Sequence, residues 1–177
     1  MSKPESQTGV IEVQPCETTE RTEAALFGAG CFWGVEAAFA KLDGVVETAV
    51  GYSGGESDYP SYEHVCTGST NHAEVVRVVY DPAKVSYNRL VEVFFDIHDP
   101  TQLNRQGPDH GTQYRSVIYY CTADQQQAAV AIRDRLDAAD QFPRPIVTQI
   151  DKAGTFWRAE EYHQQYLAKN RFASCHI

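Results

Sequence analysis

Cys31 stands in the stretch GAGCFWGVE, residues 28–36, between glycines and two large aromatics. The pattern around it places a strand over 22–28 and a helix over 31–42, so the sulfur falls at the helix start. There the backbone N–H groups have no partner within the helix, and the dipole favours an anion. A thiol at such a position is expected to have a lowered pKa, and the thiolate is the nucleophile. Gly28 and Gly30 let the chain turn tightly into the helix. Phe32 and Trp33 are adjacent and cannot both face one core, so at least one should line the surface beside the sulfur. The plainer alternative stays open: a buried structural cysteine packed by aromatics, since free cysteine is among the most buried residue types.

Three further groups could work with a thiol. Glu74, in NHAEVV, shares a strand face with Val76 and Val78 if alternation holds. A carboxyl on an apolar face is costly when ionised, so its pKa rises and it can serve as a general acid. The alternative is a register in which Glu74 simply meets water. The stretch GPDHGTQYRS, 107–116, gathers Asp109, His110, Gln113 and Tyr114 ahead of a strand. Tyr62, in PSYEHV, is another phenol near a junction between loop and helix.

The remaining cysteines, Cys16, Cys66, Cys121 and Cys175, are scattered, and no C-x-x-C pair occurs. With Cys31 they make five, an odd count, and this spacing makes a poor disulfide scaffold and a poor zinc site. Cys66 and Cys121 fall in regular elements and read as structural. Cys16 lies in a loose arm and could reach the site. Three other readings of the same residues remain. One is a cysteine hydrolase using Cys31, His110 or His163, and Asp109, which requires a histidine in contact with the thiol. Another is a non-catalytic module that holds exposed methionines on an aromatic patch. The last is a metal site of His110, His163, Cys175 and His176.

The elements that must position these groups follow from periodicity and turn signals. Residues 45–53 are β-rich, 72–82 alternate as a strand, and a short helix lies near SYEHVCTG. Ser86 caps a helix over 87–99. Residues 100–113 form a long polar loop, of a length usually tied to function. A strand follows over 114–121, then a helix over 123–139 capped by Thr122. RPIVTQI, 144–150, reads as a last strand and RAEEYHQQYLAKN, 158–170, as a last helix. From 22 to 121 the order is β-α-β-β-α-β. This predicts an α+β fold: a ferredoxin-like split β-α-β two-layer sandwich with an additional C-terminal helix, strand and tail. Residues 1–20 read as a flexible arm and 21–177 as one catalytic domain, with a mobile tail from about 170.

The chain has 177 residues and a formal net charge of −9. That charge argues against a nucleic-acid surface, which is usually basic. No apolar run reaches the roughly 18 residues of a membrane helix, and the polar start lacks the features of a secretory signal. The expectations are a cytoplasmic location, no membrane association and a monomer.

GCFWGVE, GYSGG, YEHVCTG, HAEVVRVVYDP, GPDHGTQYRS and EYHQQYL together, in this order, resemble the A-type peptide-methionine sulfoxide reductases over residues 24–175. The resemblance implies reduction of the S epimer of methionine sulfoxide, free or in proteins, with thioredoxin as final reductant. It implies protein repair after oxidative stress and calls for no cofactor and no metal. Cys31 then matches the catalytic nucleophile, and Glu74 the acid that protonates the sulfoxide oxygen. Tyr62 and Tyr114 match phenols that assist it. Phe32 and Trp33 match the wall that receives the S-methyl group, and Asp109 a carboxyl that orients substrate. The Cys31 sulfenic acid is resolved to a disulfide by a second cysteine, for which Cys175 is favoured. Where the family usually has a Gly-Tyr pair before that cysteine, this chain has Ala173-Ser174.

Overall fold

The computed structural model describes residues 7–175. In chain order its elements are β1 (Ile11–Val13), β2 (Glu23–Ala29), α1 (Phe32–Ala40), β3 (Val45–Ser53), α2 (Tyr62–Cys66), β4 (Ala73–Tyr80) and α3 (Tyr87–Asp96). A two-residue pair, β5 (Arg105–Gln106) and β6 (Asp109–His110), and a 3-10 turn at Thr112–Tyr114 lead into β7 (Ser116–Tyr120). Then come α4 (Ala123–Ala138), β8 (Gln149–Lys152), β9 (Phe156–Arg158), a 3-10 turn at Glu161–His163 and α5 (Tyr166–Lys169).

The main sheet has the order β1-β9-β3-β4-β2-β7-β8. Only the β7–β8 pair is parallel. β4 lies between β2 and β3, and β2 lies between β4 and β7, so each crossover through α1 or α3 spans an intervening strand. The fold is α+β, as the element order predicts. One face of the sheet carries Phe27, Val50, Tyr52, Val76, Val78 and Ile118, which pack with Phe39 of α1 and Leu90 and Phe94 of α3. Phe27 stacks on Phe39 at 4.8 Å between centroids and on Phe94 at 5.4 Å. The other face holds a smaller cluster of Leu26, Val75, Val117, Tyr119 and Phe156. The helix starts behave as the sequence indicates: Ser86 accepts from Arg89 N at 3.1 Å and Thr122 from Gln125 N at 3.2 Å.

Four sequence expectations need correction. The helix read over 158–170 is a strand end, a 3-10 turn and a four-residue helix. Tertiary bonds replace the helical ones. The Gln164 side chain accepts from Val50 N and donates to the Val50 and Ala159 carbonyls, each at 2.9 Å. Gln165 turns left-handed, at φ +54, and its N–H donates to Glu36 Oε1 at 2.7 Å. Next, the strand read over 144–150 pairs only from Gln149 on. The arm is the third difference, since Ile11–Val13 pairs with β9 and Val10 is fully buried. Beyond it, Arg77 of β4 donates to the Pro15 and Glu17 carbonyls. Finally, Cys16 and Cys121 form a disulfide, with Cα atoms 5.6 Å apart. The chain returns to bring together two cysteines 105 residues apart, a proximity that spacing does not encode. Among the described residues, no helix is long and apolar enough to cross a membrane.

Candidate functional site

β2 ends at Ala29, and Gly30 carries the chain into α1 at φ +94. A side chain at Gly30 would be strained by that φ, and its Cβ would come within 2.8 Å of the Gln106 side chain. Glycine therefore allows the 99–110 loop to close on the strand end. Gln106 secures that loop by accepting from Asp99 N and donating to Asp99 O, both at 3.0 Å. Cys31 is the N-cap of α1, half-buried.

Glu74 comes to the helix start from β4, opposite Tyr52 of β3. Alternation places it on the face of Val76 and Val78, toward the helices, as the sequence indicates. It is 1% exposed. Its Oε1 accepts from Phe32 N at 3.2 Å, while Oε2 has no partner among the described residues. Burial pushes its carboxyl up to about 8, against the pull of the Phe32 N–H, with Asp109 and Cys175 adding to the rise. At neutral pH Glu74 is a protonated acid with one free oxygen.

The Cys31 thiol is also held well above its ordinary value, which reverses the expected lowering. A hydrogen bond with Cys175 is the largest cause, then burial, then the nearby Glu74 carboxyl. The Trp33 backbone N–H pulls the other way and does not prevail. A half-buried thiol beside a carboxyl and a second thiol is costly to ionise, and the helix start is shared between Cys31 and Glu74. The largest influences on Cys31 come from Cys175, burial and Glu74, and none of them is a histidine.

The two phenols meet here as well. Tyr62 opens α2, where Ser61 accepts from His64 N at 3.2 Å. The Tyr62 N–H donates to Glu160 Oε2 at 3.0 Å, and Glu160 Oε1 accepts from Tyr52 at 2.9 Å. Tyr114 closes the 3-10 turn before β7. Burial raises both phenols, and the Glu74 carboxyl raises both further; Asp109 and Cys31 also act on Tyr114. Asp109, on β6, is half-buried. Phe32 is buried, and half-buried Trp33 stacks on Tyr166 at 3.8 Å.

The structure thus brings together Cys31, Glu74, Tyr62, Tyr114, Asp109, Phe32, Trp33 and Cys175. It does not bring Cys16. Ser116 pairs with Ala29, two residues before Cys31, and Cys121 lies five residues further on, just past the end of β7. At about 3.3 Å per residue that is roughly 16 Å, so the Cys16–Cys121 bond sits at the far end of the sheet. Cys66 is exposed rather than core, and burial raises its thiol while the neighbouring Tyr62 phenol pulls it back. Among the described residues no group of three His, Cys, Asp or Glu could hold a metal, and His176 lies outside them. Sequence reasoning missed Glu160 and the full burial of His163. The available signal was the polar run His163-Gln164-Gln165, which lacks helical apolar spacing.

Comparisons with known proteins fit this geometry. A protein of Acidobacterium capsulatum named peptide methionine sulfoxide reductase MsrA is 61% identical over 86% of this chain and 98% of its own. Mxr1 from Saccharomyces cerevisiae, solved in reduced form, is 36% identical, covering 90% of this chain and 92% of its own, with a TM-score of 0.84. Mxr1 has also been solved in complex with Trx2; that chain aligns at 24% identity over 82% of this chain and 85% of its own, with a TM-score of 0.59. The family model described as peptide methionine sulfoxide reductase matches residues 23–177. With that match over most of its length, this chain belongs to the peptide methionine sulfoxide reductase family and is an oxidoreductase.

Proposed function

We propose that the chain reduces the S epimer of methionine sulfoxide through a sulfenic acid on Cys31, which Cys175 resolves and thioredoxin recycles. The observation that carries this is the neutral, buried Glu74 carboxyl with Oε2 unpartnered, next to a thiol hydrogen-bonded to Cys175.

The steps balance. Cys31 Sγ attacks the sulfoxide sulfur while Glu74 gives its proton to the sulfoxide oxygen. The thiol proton returns to Glu74; the hydroxyl then passes from the substrate sulfur to Sγ, so that the S–O bond of the substrate and the S–S bond made in the attack both break and an Sγ–O bond forms. The products are methionine and Cys31–SOH. The Cys175 thiol then displaces water and forms the Cys31–Cys175 disulfide. A dithiol such as thioredoxin reduces it by exchange and is itself oxidised; the complex of Mxr1 with Trx2 supports that partner. The resting site holds thiol and acid both neutral, which avoids two buried like charges. Both protons are needed during attack, so neutrality is the productive starting state. Tyr62 and Tyr114 flank Glu74 as neutral donors for the oxygen, Phe32 and Trp33 receive the methyl, and Asp109 orients the substrate.

Reduced enzyme is mixed with a racemic methionine sulfoxide peptide and no reductant. With the Cys16–Cys121 bond intact, three cysteines lie outside a disulfide, Cys31, Cys66 and Cys175. The expected result is one methionine per chain, from the S epimer alone. Two of those thiols should be lost, with a new Cys31–Cys175 link in the peptide map. No methionine overturns the reading, and a new disulfide to Cys66 moves the resolving role there.

A further inference from the structure

We propose that His163 is a positioning residue that sets the site's preference for a methyl group by locking the Trp33 indole in place. This rests on the reading of Phe32 and Trp33 as the wall that receives the methyl.

A half-buried tryptophan on a helix surface has rotamers to choose from. Trp33 is tied down at its edge and on one face. Its indole Nε1–H donates to His163 Nδ1 at 3.0 Å, its ring stacks on Tyr166 at 3.8 Å, and the His163 ring lies 5.7 Å away. His163 is fully buried, and its ring also packs on Phe32 at 5.2 Å and on Tyr62 at 4.5 Å. One side chain therefore touches three of the aromatics at the candidate site.

The hydrogen bond explains why this residue is a histidine. Because Nδ1 accepts from the indole, the neutral ring carries its proton on Nε2. Nε2 is buried and meets no partner among the described residues. Packing alone would be served better by phenylalanine, which fills similar space without an orphaned donor. Only the need for an acceptor facing Trp33 accounts for the imidazole. Burial also keeps the ring uncharged, so Nδ1 stays an acceptor, with Glu160 opposing more weakly.

A pocket tells methyl from ethyl only if its wall does not yield. One methylene is worth about 10–200-fold in such pockets. A loosened indole gives that discrimination away while leaving the thiol and acid untouched.

The test uses the full chain in single turnover, with methionine sulfoxide and its S-ethyl analogue, ethionine sulfoxide. His163→Phe keeps the ring and removes the acceptor; His163→Asn restores an acceptor near the Nδ1 position. For His163→Phe, binding of methionine sulfoxide should weaken about tenfold and the preference for methyl over ethyl should fall about tenfold, within the range a methylene supplies. The rate at saturation should change little, and His163→Asn should recover much of the preference. The Trp33 indole N–H should exchange slowly with water in wild type and in His163→Asn, and fast in His163→Phe. A folded His163→Phe with unchanged preference and a protected indole overturns the proposal. If His163→Phe does not fold, an unprotected Trp33 indole in wild type overturns it instead. Trp33→Phe is the control: if that variant also keeps the preference, the wall reading has failed. If only His163→Phe keeps it, the role of His163 has failed.

Discussion

A carboxyl held at about 8 keeps its proton in the folded chain where the unfolded chain, at the ordinary 4.5, has lost it. The stability tied to Glu74 is therefore complete below about 4.5 and falls as pH rises toward 8. At about 1.4 kcal/mol per unit, the loss at pH 7 is on the order of 3 kcal/mol. Glu74→Gln keeps an oxygen for the Phe32 N–H and cannot ionise. Urea denaturation should find it more stable than wild type by ~2–3 kcal/mol at pH 7 and nearly equal near pH 4.5. Rapid-mixing kinetics should find the opposite effect on chemistry. Sulfenic acid formation should slow by ~10²–10⁴ with little change in binding, because the proton is transferred only in the transition state. In wild type that step should also fade as Glu74 ionises above about 8. A variant that is slower but no more stable would mean Glu74 is not held protonated. The residues that local pattern made visible were those like Glu74, whose strand parity and apolar neighbours lie within a few positions. Cys31 was visible for the same reason, but its pKa was not. The groups that raise it sit 43 and 144 positions away, at Glu74 and Cys175.

At the scale of elements, the segment after β9 is the clearest case of tertiary contacts overriding local preference. Gln164 makes two hydrogen bonds to Val50 of β3 and a third to the Ala159 carbonyl, just past the short β3–β9 pairing. Gln164→Leu would take the acceptor from the buried Val50 N–H and the Gln164 donor from the Ala159 carbonyl, while the Val50 carbonyl keeps the Ala159 N–H at 2.9 Å. Each such group costs about 1–3 kcal/mol, so a loss of ~2–4 kcal/mol in urea denaturation is expected. A change below about 0.5 kcal/mol, the size typical of surface substitutions, would show that something else breaks the helix there. The contrast with β2, β3 and β4 shows what a sequence can and cannot carry. Those strands bury alternate residues on two faces, so their pattern and their structure coincide. The helices at Ser86 and Thr122 announce themselves by caps. By contrast, 158–170 contains strong helix formers, yet its glutamines and His163 bind Val50, Ala159, Glu36 and Trp33. β1 and β9 went unseen because strands of three residues carry too little periodicity to register.

For the whole molecule, the Cys16–Cys121 bond separates two kinds of sulfur chemistry. The proposed cycle makes and breaks one disulfide at the helix start, while another closes a span of 105 residues at the far end of the sheet. Only the latter ties the N-terminal segment down covalently; β1 pairing and the Arg77 contacts to Pro15 and Glu17 add to it. No pattern of spacing could have shown the bond, because topology alone brings its ends together. Cross-links closing loops of this length are worth ~2–5 kcal/mol, mainly by restricting the unfolded chain. Cys16→Ser should therefore lower stability by that amount. It should leave single-turnover yield at one methionine per chain, since roughly 16 Å of strand lies between Cys121 and the site. Denaturation and product counting on the same variant decide the matter together. Lost stability with full yield fits a staple independent of catalysis. Full stability would mean the β1 pairing holds the arm without the bond. Loss of thioredoxin-driven turnover in this variant, with single-turnover yield intact, would place Cys16 in the cycle after all, and the assignment of Cys175 as resolver would fall with it.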